Sequence, residues 1–261
     1  MSGLLRLVIA LSVFVVVYPS STYAQEKGFL LESYSSEDMY RLGEEFRFGH
    51  GKYPKDLKEA LDWHLKAAAR GNARSMFVIG NMYLKGQGVE ANKGEAIAWF
   101  KKSVEAGGEG SAAAAEELGG LYEITDCAQS IAMWRRAAEL GSVTAQNRLG
   151  LMYVNGQCTE KKPEEAVRFL LPAASTGDII SAIFLASLYH KGDGVPQSNV
   201  DARYWAEKAT LLGWPRLTIA DTYLNPIFAT PLTKEETSQV ERKLGYKLRP
   251  LKDGRPVPMY Q

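Results

Sequence analysis

From residue 36 onward, apolar and small residues recur at helical spacing in paired segments parted by polar, glycine-bearing loops. Met76, Ile79, Gly80 and Tyr83 mark one face of a first helix. Ala96, Trp99 and Ser103 mark the second helix that follows it. The loop between carries Gly86 and Gly88, where the chain must reverse. Gly49 and Gly51, and later Gly192 and Gly194, repeat that punctuation.

The pattern has a period. Trp63, Trp99, Trp134, Phe169 and Trp205 lie 35 or 36 residues apart. The closing glycines Gly71, Gly107, Gly141, Gly177 and Gly213 lie 34 or 36 apart. A third series, Phe46, Tyr83, Tyr122, Tyr153 and Tyr189, follows Gly43, Gly80, Gly119, Gly150 and Ala186 by three residues. Counted from the closing glycine, Met133 rather than Trp134 takes the aromatic slot of the third unit, so the register there is open by one residue. A single helix pair cannot bury its apolar face, but a stack of pairs can. The expected fold is all-α, a right-handed solenoid of helix-loop-helix units over about 36–72, 73–110, 111–142, 143–178 and 179–215. Unit three has a loop about five residues short, and Gly107-Gly108-Glu109-Gly110 precedes it.

Residues 216–245 read as a partial sixth unit and cap. Its opening helix is expected to end at Pro226, and Thr233 with Glu236 forms a capping-box pattern ahead of a second, polar helix. The basic, proline-bearing tail of 246–261 reads as extended. Met1 to Ala24 has the form of a secretory signal peptide cleaved after Ala24, followed by a lead-in over 25–35. The expected product is exported and periplasmic, with no membrane span in the mature chain.

Hydrophobic residues at 46% and charged residues at 23% are ordinary for a folded chain. The net charge of +1 lacks the basic excess of a nucleic-acid binder. His50, His64 and His190 are scattered, and no H-E-x-x-H, P-loop or G-x-S-x-G is present. The loop glycines lack a following Lys-Ser/Thr. No cofactor, metal or catalytic residue is expected.

Residues 79–107, IGNMYLKGQGVEANKGEAIAWFKKSVEAG, resemble a Sel1-like repeat, a relative of the tetratricopeptide repeat, as do 149–177 and 185–213. The resemblance implies a non-catalytic solenoid that binds another protein on its concave face. Transferred by offset from the repeat glycine, that face includes Tyr40, Glu44, Arg47, Phe77, Asn81, Lys85, Glu116, Glu123, Asn147, Asn155, Ile183, His190 and Lys191. Some exported members act as immunity proteins against antibacterial toxins such as type VI secretion phospholipases, which makes a toxin the most specific expected partner. An envelope or host-interaction scaffold is the alternative. A cell-wall or β-lactam-acting enzyme is a further one, weakened because this chain lacks the regular cysteine pair of such relatives. Cys127 and Cys158 each lie five residues after their unit's tyrosine, in what read as equivalent loop positions. An oxidising compartment favours a bridge between them, while stacked units would also allow two separate thiols.

Overall fold

A computed structural model describes residues 34–50, 53–212 and 218–248, with the backbone of 251–252 and 255–256. The expected signal peptide and most of the lead-in and tail lie outside the described residues. Within them the chain is all-α apart from a two-residue antiparallel ladder, Leu251–Lys252 against Arg255–Pro256. Ten helices form five hairpins: α1 (Ser36–Phe48) with α2 (Leu57–Ala69), α3 (Ala73–Lys85) with α4 (Lys93–Ala106), α5 (Ser111–Tyr122) with α6 (Cys127–Glu139), α7 (Val143–Asn155) with α8 (Pro163–Ser175), and α9 (Ile179–Lys191) with α10 (Asn199–Leu211). Two more, α11 (Thr218–Ala229) and α12 (Lys234–Leu244), pack on the last hairpin. No helix among the described residues is long and apolar enough to cross a membrane.

The boundaries follow from local chemistry. Asp56, Asn72, Asn92, Asp126, Ser142, Asp178 and Ser198 each turn a side-chain oxygen onto a backbone N–H of the first helical turn. Thr233 and Glu236 form the reciprocal capping box at the start of α12. Pro226 does not end α11, contrary to expectation; the helix runs on to Ala229. Ile227 and Phe228 are buried there, and Phe228 lies 4.6 Å under the Arg203 guanidinium, so packing outweighs the lost donor.

The small-plus-large code of the sequence is a clearance rule. A Cβ on Gly43 would come within 2.7 Å of the His64 ring, and one on Gly80 within 2.5 Å of Phe100. Gly150 stands in the same relation to Leu170, at 2.4 Å. In unit three the residue under Gly119 is Trp134, at 2.7 Å. His64, Phe100 and Leu170 each follow the aromatic slot by one. The register is thereby settled: Met133 holds the aromatic slot, and Trp134 fills the place beneath the glycine. Unit five reverses the trade, with Ala186 and Ala206 both buried at the two matching positions.

Candidate docking groove

The first helices of the five hairpins carry the residues expected to face a partner. Four of them, Tyr40, Glu116, Glu123 and Asn147, instead join one hairpin to the next, and others bond within their own hairpin. Glu44 accepts a hydrogen bond from Arg47 Nη1 at 3.0 Å and lies 3.3 Å from His64 Nε2. Burial pushes the Glu44 carboxyl up, but its bonds to His64 and Arg47 outweigh this and hold it below the usual carboxylate range. Tyr40 stacks under the Arg74 guanidinium of the next hairpin at 4.4 Å. Phe77 is half-buried, 5.9 Å from the Phe100 ring.

Further along, Glu116 accepts from the Ser142 hydroxyl that caps α7. Glu123 accepts from Arg148 Nε at 2.7 Å and from Trp134 Nε1 at 3.1 Å. The Arg148 bond is the chief reason its carboxyl stays below the usual range, with burial opposing. Asn147 donates to Asp178 at 2.8 Å and to Ser181 at 2.9 Å, across to the fifth hairpin.

Two of the expected contact residues are corrected outright. Ile183 has no exposed surface, and Asn81 almost none, its amide donating to the Phe77 carbonyl. Neighbouring helices cover both positions, so neither can touch a partner. His190 is half-buried, and its carbonyl accepts from Gln197. The open positions are Lys85, Asn155 and Lys191, each the last residue of its helix. Two residues at the same offset, five after the repeat glycine, complete the row: Phe48 ends its helix, and Ile124 lies two residues past the end of α5. Phe48 is 53% exposed and Ile124 96% exposed. The offset alone would have found them. Together Phe48, Lys85, Ile124, Asn155 and Lys191 form one exposed row across five hairpins, apolar at two positions and basic at two others.

Glu44, His64 and Ser75 have the connectivity of a hydrolase relay, with His64 Nδ1 3.4 Å from Ser75 Oγ. His64 and Ser75 are both fully buried, and the imidazole is pressed against Gly43. No substrate atom can reach that hydroxyl, so the trio acts as a polar bolt between the first two hairpins. Among the described residues, no group of three or more His, Cys, Asp or Glu side chains is placed to hold a metal.

Cys127 and Cys158 are joined in a disulfide with Cα atoms 5.0 Å apart. They do not occupy equivalent loop positions, as counting from the tyrosines had placed them. The short third loop puts Cys127 at the first residue of α6, matching Leu57 and Pro163. Cys158 matches the loop glycines Gly88 and Gly194 and shares their left-handed backbone, at φ 60°. Between hairpins one and two a Cβ on Gly88 would lie 2.3 Å from the Leu57 carbonyl oxygen, and between hairpins four and five one on Gly194 would lie 2.4 Å from the Pro163 carbonyl carbon. The loop-to-helix approach closed by glycine elsewhere is closed by a covalent bond between hairpins three and four.

These features define an α-solenoid, in which stacked hairpins bury a continuous core and leave a curved face for other molecules. The family model for the Sel1 repeat matches residues 36–72, 73–108, 112–142, 143–178 and 179–214. The chain belongs to the Sel1 repeat family. A Sel1 repeat protein from Oxalobacter formigenes is similar over 85% of this chain and 91% of its own, at 27% identity and a TM-score of 0.65. A protective antigen of uropathogenic Escherichia coli with an SLR fold is 28% identical over 81% of this chain and 45% of its own, with a TM-score of 0.61. Among curated proteins, an F-box protein of Arabidopsis thaliana is 28% identical over 154 residues, which are 59% of this chain. That stretch spans about a third of the relative, 32% of its length. Sel1 repeats mediate protein–protein interaction.

Proposed function

We propose that this chain is an exported, non-catalytic binding protein that docks another protein along the concave row of its first helices. The observation that carries this reading is the exposed row itself. Phe48 and Ile124 offer apolar surface in the same row as Lys85, Asn155 and Lys191, at or just past the ends of first helices that contacts such as Arg74–Tyr40, Arg148–Glu123 and Asn147–Asp178 tie to their neighbours. A surface fixed before binding loses little ordering entropy when it engages. Aromatic and aliphatic anchors among polar groups suit a protein partner.

The finer reading is an immunity protein of the periplasm that occludes a toxin such as a type VI secretion phospholipase. It is supported by the signal-peptide form of residues 1–24 and by a chain otherwise given over to repeats and their cap. Affinity capture on the processed protein from an envelope extract, repeated over a range of salt, tests the docking reading. A stoichiometric protein partner is expected, and its identity separates toxin neutralisation from scaffolding. Recovery of no protein at any salt contradicts both.

A further inference from the structure

The third hairpin departs from its neighbours at one groove position. One residue after the repeat glycine, the other hairpins carry Glu44, Asn81, Leu151 and Ser187, whereas this one carries Gly120. A Cβ built on Gly120 would meet only Trp134 Cζ2, at 4.0 Å. Gly119 beside it rests directly on the same indole. Two adjacent glycines over the largest side chain therefore bring an aromatic edge up to the groove. The result is a hollow of about 290 Å³ lined by Glu116, Glu117, Gly120, Leu121 and Trp134. That is at the lower limit of a drug-sized pocket and suits one long side chain.

We propose that this hollow receives an arginine or lysine side chain of the docked protein, whose apolar neighbour seats on Ile124. The proposal rests on the docking reading above. Leu121 and the Trp134 edge supply an apolar wall for an alkyl stem. The ring edge carries the positive end of the aromatic quadrupole and does not itself attract a cation. The charged head is matched by Glu116 and Glu117 instead. The Glu117 carboxylate makes no ion pair or hydrogen bond among the described residues, while Glu123 nearby is already held by Arg148 and the indole N–H. Charge complementarity of this kind selects a basic partner residue. Ile124 stands four residues after Gly120, 96% exposed, because the short third loop passes straight to the Asp126 cap without folding back over it. The hollow also belongs to the middle hairpin of five, and anchor residues of an interface concentrate in pockets near its centre.

The probe is a random peptide library displayed on phage, panned against the processed protein and against its Gly120→Gln and Glu117→Gln variants. Gly120 has no positive φ and open space above it, so Gly120→Gln folds, and circular dichroism checks this. The expected winners carry an arginine or lysine next to an aliphatic residue. Their synthetic forms bind both variants at least about tenfold more weakly, a hot-spot effect. Peptides that bind Gly120→Gln as well as the parent, or that are acidic, overturn this proposal and leave groove docking standing. No enrichment on the parent counts against both. Saturation by N-acetyl-arginine amide as tight as by the peptides makes the hollow a small-ligand pocket and overturns the partner assigned here.

Discussion

Gly119 and Gly120 are neighbours on one helix, yet replacing each by alanine should have opposite effects. Both changes gain helix propensity, about 1 kcal/mol each. At Gly120 the new methyl meets nothing nearer than 4.0 Å, so the gain stands. At Gly119 the methyl would lie 2.7, 2.8 and 2.9 Å from Cδ2, Cε2 and Cγ of Trp134. Those atoms are at the base of a ring anchored by its own N–H to Glu123, so it cannot swing aside as a flexible tip could. Overpacking of this kind costs roughly 1–3 kcal/mol, and a rigid ring puts the cost near the top of that range. Gly119→Ala is therefore expected to destabilise by about 2 kcal/mol and Gly120→Ala to stabilise by about 1 kcal/mol. Urea unfolding followed at 222 nm measures both. Equal shifts, or a more stable Gly119→Ala, would refute the clearance rule on which the register rests.

Reducing the Cys127–Cys158 bridge, which spans 31 residues, should remove roughly 3–4 kcal/mol in the loop-entropy model. Hydrogen exchange with and without reductant should place that loss in hairpins three and four. Glu123, held below the usual carboxylate range chiefly by its Arg148 bond, contributes stability that is full above its unfolded pKa and falls away as pH drops through the lower folded value. Glu123→Gln should flatten the decline in unfolding free energy on the acid side; an unchanged slope contradicts the pairing. Arg203 and Glu207 form a buried pair 2.9 Å apart where the earlier units carry Leu61, Ile97, Ile131 and Val167 at the place of Arg203. Arg203→Ala strands the carboxylate and should cost about 3 kcal/mol in calorimetric or urea unfolding, whereas Arg203→Met with Glu207→Leu should be near neutral.

The repeats were legible because a glycine beneath a ring leaves a chemical mark wherever two helices must approach. The ambiguous slot in unit three was not legible from hydrophobicity, since Met133 and Trp134 are both apolar; only the clearance at Gly119 separates them. The short third loop was legible, but placing Cys127 by its distance from Tyr122 made no allowance for that deletion, which moves it onto a helix. Groove exposure was the least legible property. Sequence offset gives the direction of a side chain from its own helix but not the height of the neighbours. It therefore admitted Ile183 and Asn81, which adjacent helices cover, whereas Phe48 and Ile124, at an offset the rule already contained, stand exposed. Pro226 misled for a related reason, because the burial of Ile227 and Phe228 holds a turn that local propensity would release.

Hydroxyl-radical footprinting of the protein bound to its captured partner tests the docking face most directly. Protection should fall on Phe48, Lys85, Ile124 and Lys191. Protection confined to the second helices of the hairpins, at side chains such as Leu65 and Leu171, would place the interface on the opposite side and contradict the account.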